Sequence, residues 1–226
     1  EDIKKQNIAS PDDPNYNARA LLEKIKTEKE QLIKEGKIKR QKPLSIVSDE
    51  EKPFELPDNW IWIRLIDYGL TNTGTTPSKN SPEYFGKDYP FVKPAEISYS
   101  GINYDTDDGL SELGLTQARL IPKNSVLMVC IGGSIGKCYY TIKDVSCNQQ
   151  INTITPLVLF SSVFLNLFLQ SEYFQDAVWD RASGGTTPII NKGKWERIPI
   201  PLPSIAEQQA IVSQIEKLFT QIDQLH

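Results

Sequence analysis

Residues 132–138 (Gly-Gly-Ser-Ile-Gly-Lys-Cys) contain the residue types that cradle phosphate in nucleotide-binding loops. Such a loop needs four residues between its glycines and a hydroxyl residue after the lysine, because that hydroxyl ligates magnesium. Here only three residues separate Gly132 from Gly136, and Cys138 stands in place of the hydroxyl residue. The spacing therefore argues against nucleotide hydrolysis at this loop.

Other catalytic patterns are also missing from the sequence. The single histidine is His226, the last residue, which leaves no histidine general base for a catalytic triad. The acidic segment 105–109 (Asp-Thr-Asp-Asp-Gly) lacks the D-x-D-x-D-G spacing of a calcium-binding loop. The glycines never form the dinucleotide fingerprint G-x-G-x-x-G. We therefore expect no catalysis by this chain, no cofactor of its own and no metal site.

Three cysteines, Cys130, Cys138 and Cys147, fit neither a zinc site nor a disulfide framework, because no C-x-x-C pair occurs and their number is odd. They predict buried thiols in a reducing cytoplasm. No signal segment and no run of roughly 20 apolar residues is present, so we expect no membrane partner. The chain begins at Glu1 and its single methionine is Met128, so we expect a piece of a longer protein.

Two polar segments share the tetrapeptide Gly-Thr-Thr-Pro, at residues 74–77 and 185–188. Small residues allow a backbone to approach a partner closely, and hydroxyls with backbone N–H groups are good phosphate ligands. The second copy lies within residues 181–197, which carry four basic residues and one acidic residue. The segments are consistent with phosphate binding, and equally with two ordinary tight turns.

Charge is distributed unevenly along the 226 residues. The whole chain has 25 basic and 29 acidic residues, a net charge of −4, which is unfavourable for binding nucleic acid. Residues 19–42 nevertheless have nine basic and four acidic residues, whereas residues 43–204 have 13 basic and 18 acidic residues. The basic charge is therefore concentrated near the beginning of the chain.

Three segments have helical periodicity. The first runs from Ala18 to beyond Leu32, with Gly36 as its stop, and the second lies within residues 161–181. The third begins at Ser204, whose spacing from Glu207 is that of a capping box. Its apolar residues repeat in heptads: Ile211, Ile215, Leu218, Ile222 and Leu225. This seam predicts a coiled coil, although a helix docked on its own domain would show the same pattern.

Strands are predicted between these helices, separated by clusters of Gly, Pro, Asn and Ser. They cover residues 60–65, 89–93, 118–121, 126–131, 137–142 and 151–155. The fold class is therefore α+β, an irregular mixed-sheet domain with flanking amphipathic helices. We expect an N-terminal helix and basic linker at 1–51, the central domain at 52–203, and the start of a long helix at 204–226.

Several segments resemble one known family. Residues 21–39 and 53–60 (Pro-Phe-Glu-Leu-Pro-Asp-Asn-Trp) resemble the entry to a target recognition domain in the specificity subunit of type I restriction-modification enzymes. Residues 74–85, 132–137, 148–150 and 198–209 then follow in the order of that family. The last of these joins a proline-rich run to Ala-Glu-Gln-Gln before the heptad helix. Together the segments cover nearly the whole chain.

The resemblance implies a division of labour. A specificity subunit carries two recognition domains held apart by long antiparallel helices, and each domain reads half of a split target in double-stranded DNA. It has no catalytic site of its own. Methyltransferase subunits bind it and bring S-adenosylmethionine, and motor-nuclease subunits join for cleavage. This chain would be half of such a subunit, with the second recognition domain as a further partner.

The resemblance to this family implies roles for the polar residues. The candidates for phosphate contact are Thr75, Thr76, Ser78, Lys79, Ser183, Thr186, Thr187, Lys192 and Lys194. The candidates for base reading are Lys93, Tyr99, Ser100 and Asn103, in a polar insertion. Residues 132–137 and 148–150 stay open between turn structure and DNA contact, and the heptad residues would pack the spacer between half-sites.

A second hypothesis is an assembly adaptor that works through its helices, with a central domain that binds protein. The acidic balance and the heptad seam favour that hypothesis. If the chain does recognise DNA, its charge predicts weak binding alone, with most of the affinity supplied by basic partner subunits.

Overall fold

The computed structural model describes residues 12–158 and 161–224. The described residues form two compact units: those up to Tyr68 together with those from Pro199 onward make the first, and those between Gly69 and Ile198 make the second. His226 and the heptad residue Leu225 lie outside the described residues. The predicted domain limits, after residues 51 and 203, differ from this division and stay predictions about functional domains.

The described helices and strands alternate irregularly, which confirms the α+β class. In chain order they are α1 (Ala18–Lys34), β1 (Ile61–Arg64), α2 (Leu65–Tyr68), β2 (Gly69–Thr73), β3 (Phe85–Val92), β4 (Gly109–Leu110), α3 (Glu112–Leu115), β5 (Val126–Val129), β6 (Cys138–Tyr140), β7 (Ser146–Cys147), β8 (Ile151–Pro156), α4 (Ser161–Leu169), α5 (Glu172–Arg181), α6 (Lys192–Glu196), β9 (Pro199–Leu202) and α7 (Ile205–Asp223). Among the described residues, no helix combines the length and apolar character needed to cross a membrane.

Helix α1 forms as its sequence predicts. The side chain of Asn17 accepts hydrogen bonds from the backbone N–H groups of Arg19 and Ala20, which caps the first turn. The apolar stripe buries Leu21 and Ile25 in the first unit. The helix ends where Gly36 takes a φ of +70°, a left-handed conformation that glycine adopts without steric cost.

Strands β1 and β9 form a two-stranded antiparallel sheet in the first unit, with Ile63 opposite Ile200. Strand β9 was not predicted from the sequence, because its segment, Pro-Ile-Pro-Leu, contains two prolines. Proline cannot donate to a sheet ladder and is tolerated only on edge strands. A two-stranded sheet consists of edges alone, so the prolines fit there.

The start of α7 is fixed by the capping box that the sequence predicts. The Ser204 hydroxyl accepts from the Glu207 backbone N–H, and the Glu207 carboxylate accepts from the Ser204 N–H. Glu207 Oε1 also accepts from Trp60 Nε1 at 3.1 Å, and the hydroxyl of Tyr68 donates to Gln208 Oε1 at 2.9 Å. The helix start is therefore tied to the rest of the first unit.

The later turns of α7 are uncovered. Ile211 and Ile215 are half-buried, whereas Leu218 and Ile222 are 48% and 50% exposed. Phe219, which lies beside the heptad seam, is exposed as well. A helix docked along its own domain would bury these side chains, so that alternative does not describe the later turns. Pairing of the seam with another helix stays a prediction.

The second unit contains an antiparallel sheet with the strand order β2-β8-β5-β6 and a smaller sheet with the order β4-β3-β7. In the first, Thr73 lies opposite Asn152 and Val129 lies opposite Ile151. In the second, β3 and β7 are parallel. Every residue of β5 is buried, and α4 packs against β5, β6 and β8.

Two predictions about the second unit are wrong. The single helix predicted within residues 161–181 is divided into α4 and α5, because Ser171 caps α5 by accepting from the backbone N–H of Phe174. The strand predicted at 118–121 is absent, and only Ile121 forms an isolated bridge, to Val145. A short apolar run is a weak strand signal when it has no long partner.

The three cysteines are buried free thiols, as the sequence predicts. Burial raises the pKa of Cys138 and of Cys147 to about 12, and that of Cys130 to about 11. Because a thiol reacts as its thiolate, these side chains are inert at neutral pH.

Candidate nucleic-acid interface

The first Gly-Thr-Thr-Pro segment follows β2 directly and packs against residues 147–151. The Gly74 N–H donates to Ile151 O at 3.0 Å, and the Thr75 N–H donates to Cys147 O at 2.9 Å. A Cβ on Gly74 would overlap the carbonyls of Cys147 and Asn148, so this close approach requires glycine.

Residues 148–150 form a turn that supports this segment. The Gln150 N–H donates to Asn148 Oδ1 and Asn148 Nδ2 donates to Gln150 Oε1, both at 3.0 Å. Gln149 between them is exposed, and its Oε1 accepts from the Thr76 hydroxyl at 2.6 Å. The turn is structural through Asn148 and Gln150, while Gln149 is displayed on the surface beside Thr76.

The second Gly-Thr-Thr-Pro segment is joined to the same region. Gly132 N–H donates to Pro188 O at 2.9 Å, and Ile190 N–H donates to Cys130 O at 3.0 Å. Cys130 in turn donates its N–H to Gln150 O at 2.8 Å. The two segments, 111 residues apart in the chain, therefore belong to one connected set of loops.

We call this set the loop cluster, defined as residues 74–79, 130–136, 147–150 and 183–190. Its loops leave the same end of the larger sheet, where β2 and β5 end and β8 begins. Exposed predicted phosphate ligands in the cluster are Thr75, Ser78, Lys79, Ser183, Thr186 and Thr187, and Thr76 is half-buried. The structure thus brings together most of the predicted phosphate ligands.

Lys192 and Lys194 lie in α6 and have partners within the protein. Lys192 Nζ lies 2.7 Å from Glu196 Oε1, which also accepts from the Thr71 hydroxyl. Lys194 Nζ donates to Arg181 O at 3.0 Å, at the end of α5. Their role in phosphate contact stays a prediction, and the structure gives each of them a stabilising role besides.

Lys194 also lines an open pocket of about 320 Å³ in which Arg181 and Arg197 take part, together with Asp180 and Ala182. Both arginines contribute to the basic excess of residues 181–197, but neither was among the predicted phosphate ligands. Three cations beside one carboxylate favour an anion, and guanidinium groups suit phosphate. The excess of basic residues in 181–197 is the sequence signal that points to this pocket.

The predicted base readers surround a turn between Ile97 and Ile102, which form an isolated bridge. Tyr99 and Ser100 are exposed in the turn, and the Ser100 hydroxyl lies 3.1 Å from that of Ser98. Asn103 is exposed, but its Oδ1 accepts from the Asp105 N–H at 3.0 Å. We call residues 97–102 the Tyr99 turn.

Lys93 precedes the Tyr99 turn and lies beside the loop cluster, because the Asn148 N–H donates to Val92 O at 3.2 Å. Its Nζ lies 2.5 Å from Asp108 Oδ2, and both side chains are partly exposed. An exposed ion pair is weak, so the pair does not prevent a contact with DNA. Among residues 12–158 and 161–224, no group of side chains is arranged to hold a metal ion.

The family is decided by a comparison with family models. Residues 57–226 match the model described as "Type I restriction modification DNA specificity domain". The chain belongs to this family. The resemblance drawn from the sequence motifs is therefore confirmed.

Individual specificity subunits resemble the chain over most of its length. It is 31% identical over 232 residues to the type I restriction enzyme EcoAI specificity subunit of Escherichia coli, an alignment that covers 95% of this chain and 38% of the relative. It is 34% identical over 172 residues to the HindI specificity subunit of Haemophilus influenzae, which covers 73% of this chain and 37% of the relative. The chain therefore spans less than half of these curated relatives.

A solved structure shares the fold. The crystal structure of the HsdS subunit from Thermoanaerobacter tengcongensis matches with a TM-score of 0.58 at 18% identity, covering 92% of this chain and 50% of that one. This likeness supports the α+β fold over most of the chain.

Proposed function

We propose that this chain recognises one half of a bipartite sequence in double-stranded DNA for a type I restriction-modification enzyme and performs no catalysis itself. The observation that carries the proposal is the loop cluster, in which two Gly-Thr-Thr-Pro segments with their neighbours display hydroxyls and Lys79 at one end of a sheet. Membership of the specificity-domain family supports the same function.

The displayed groups divide into two roles. Hydroxyls and cations of the loop cluster, together with Arg181, Lys194 and Arg197, would bind phosphates and set the position of the duplex. Side chains near the Tyr99 turn would reach base edges in the major groove, where every base pair presents a distinct pattern. Sequence choice would therefore depend on the turn, and a sequence-independent part of the affinity on the cluster.

The proposed partners follow from charge and from α7. The second unit has 11 basic and 12 acidic residues, so a large share of the DNA affinity would come from other subunits. Methyltransferase subunits would supply that charge and bind S-adenosylmethionine, and motor-nuclease subunits would join them. The heptad seam of α7 would pack within the helical spacer that leads to a second recognition domain. Because an α-helix rises about 1.5 Å per residue, the length of this spacer would set the distance between the half-sites.

The assembly adaptor is the second candidate function. The exposed Leu218, Phe219 and Ile222 favour it, because an uncovered apolar face marks a site of protein contact. In an adaptor, changes in the loop cluster would leave the DNA preference of the assembled complex unchanged.

Two variants of the complete specificity subunit, assembled with its methyltransferase subunits, separate the two functions. Thr186→Ala with Thr187→Ala removes exposed loop hydroxyls and should slow methylation of target DNA while sedimentation shows an intact complex. Leu218→Ser with Ile222→Ser should weaken assembly. If the loop variant methylates target DNA at the unchanged rate, the loop cluster does not contact DNA and the adaptor is favoured.

A further inference from the structure

The side chain of Gln170 fixes the backbone of the Tyr99 turn. Its Nε2 donates to Tyr99 O at 2.9 Å and to Cys138 O at 3.1 Å. Gln170 directly follows α4, and Cys138 begins β6 of the larger sheet. The tip of an exposed turn is therefore anchored to the framework of the second unit rather than left to solvent.

A second glutamine fixes the side chain of Tyr99. The hydroxyl of Tyr99 donates to Gln175 Oε1 at 3.2 Å. The Nε2 of Gln175 donates to Gly136 O at 3.0 Å and to Leu169 O at 2.7 Å, so its amide orientation is set by two carbonyl acceptors. Because Gly136 belongs to the loop cluster, Gln175 joins Tyr99 to that cluster.

The space around Gly136 is matched to this arrangement. Gly136 has a φ of +90°, and a Cβ at this position would overlap Oε1 of Gln175. A side chain here would therefore displace the amide that holds the Tyr99 hydroxyl.

These contacts limit what Tyr99 can offer to a base. Its single hydroxyl proton is directed at Gln175 Oε1, so donation to the acceptors N7, O6 or O4 in the major groove would require that bond to break, and the hydroxyl oxygen is left as an acceptor. Tyr99 is nevertheless 46% exposed. The ring is therefore displayed in a fixed orientation, and the apolar group that a ring can recognise in the major groove is the C5-methyl of thymine.

We propose that Tyr99 reads a thymine methyl group through its ring, with Gln170 and Gln175 as positioning residues. This proposal rests on the proposed DNA-recognition function and names the chemistry of one contact within it. Fixing the ring before binding reduces the ordering that binding itself requires.

The test replaces thymine by deoxyuridine, which removes the C5-methyl and keeps the hydrogen-bonding pattern. The complete specificity subunit, with its methyltransferase subunits and S-adenosylmethionine, first defines the methylated sequence. Each thymine of the half-site read by this chain is then replaced singly. At one position we expect the wild-type methylation rate at subsaturating DNA to fall about fourfold, the factor that corresponds to one buried methyl group.

Variants separate the ring from the hydroxyl. Tyr99→Phe keeps the ring and the hold of Gln170 on the backbone but loses the hydroxyl bond to Gln175, so it should retain part of the thymine preference. Tyr99→Ala should methylate both duplexes at equal rates. Gln175→Ala removes the same hydrogen bond as Tyr99→Phe and should reduce the thymine preference to a similar extent. Gln117→Ala changes an exposed glutamine whose side chain donates to the Thr116 hydroxyl, and it should leave the preference unchanged. Thermal unfolding of each variant identifies any loss of folding. If Gln175→Ala does not fold, the comparison of Tyr99→Phe with Tyr99→Ala still tests the ring contact.

Each other outcome overturns the proposal in a recognisable way. A half-site without thymine on either strand, or no effect of deoxyuridine at any position, contradicts the ring contact while leaving DNA recognition intact. Complete loss of the preference in Tyr99→Phe, with part of it kept in Gln175→Ala, would assign the reading to the hydroxyl. A wild-type complex that methylates no defined sequence would contradict both the contact and the proposed function.

Discussion

At the scale of single residues, lysines that look alike in the sequence differ in their partners. Lys192 is paired with Glu196, whose side chain is only 10% exposed, whereas Lys79 is exposed and has no hydrogen-bond or ion-pair partner among the described residues. The sequence identifies both as cations near Gly-Thr-Thr-Pro segments. It cannot identify their partners, because Thr71 and Glu196 meet only through the packing of β2 and α6.

Lys79 provides the clearest electrostatic prediction. Lys79→Ala in the assembled complex should weaken binding similarly for target and non-target DNA, and should reduce the slope of log affinity against log salt by about 0.9 for one lost phosphate contact. Titrations of labelled duplexes at several salt concentrations measure this slope. Lys123→Ala is the control, because Lys123 precedes β5 at the opposite end of the sheet. An unchanged slope in Lys79→Ala would remove Lys79 from the interface.

Gly74 and Gly133 form a matched pair within the loop cluster. Gly74→Ala would place a methyl group against backbone carbonyls of Cys147 and Asn148, whereas Gly133 has open space around it. We expect Gly74→Ala to lower the free energy of unfolding by about 1–3 kcal/mol through overpacking, and Gly133→Ala to change it by less than about 0.5 kcal/mol. Urea unfolding measures both, and equal values would show that the loops do not pack closely.

At the scale of elements, the sequence correctly predicted the helices whose capping residues lie next to them in the chain. Asn17 and Gly36 mark α1, and Ser204 with Glu207 marks α7. Strand β9 was missed because its prolines are acceptable only beside β1, a long-range partner. The break between α4 and α5 was missed because its apolar periodicity continues across Ser171.

The linker before β1 is held by a charged contact that the sequence does not reveal. Arg64, buried in β1, donates Nη1 and Nη2 to the two carboxylate oxygens of Glu51 at 2.7 and 2.6 Å, and its Nε donates to Ser45 O at 3.1 Å. Bidentate pairs of this kind are among the stronger charge-assisted hydrogen bonds. The contact fixes a segment that otherwise has little regular structure.

This contact predicts a pH dependence. The Arg64 hydrogen bonds, followed by the Ser48 backbone N–H, lower the pKa of Glu51 from 4.5 to about 2. The unfolded chain therefore takes up this proton at higher pH than the folded one, so the stabilisation is present above pH 4.5 and is lost as pH falls through about 2. Because the Glu51 side chain is 41% exposed, we expect an effect of about 1 kcal/mol or less.

Urea unfolding of Glu51→Gln at pH 7 and at pH 3.5 measures this effect. The stability difference from the wild type should be larger at pH 7 than at pH 3.5. Glu50→Gln, at the exposed neighbouring position, is the control and should show a smaller change. A difference that grows as pH falls would contradict the assigned role of Arg64.

At the scale of the whole molecule, the sequence motifs identified the family, since their order along the chain does not depend on the fold. They did not identify the loop cluster, because residues 74–79 and 183–190 meet only when β2, β5 and β8 take their register. The net charge of −4 likewise reveals little about binding until the cations are located. Once located, they fit the proposed division, in which this chain would choose the sequence and partner subunits would supply much of the affinity.

Exchange of the second unit tests DNA recognition most directly. Residues 69–198 would be replaced by the corresponding segment of a specificity subunit with a different known target, within the complete subunit and with its methyltransferase subunits. Methylated adenines are then mapped across a genome that carries the hybrid. We expect one half of the bipartite target to change to that of the donor, with the other half and the spacing between them preserved. An assembled, active hybrid that methylates the original sequence in both halves would contradict the proposed function.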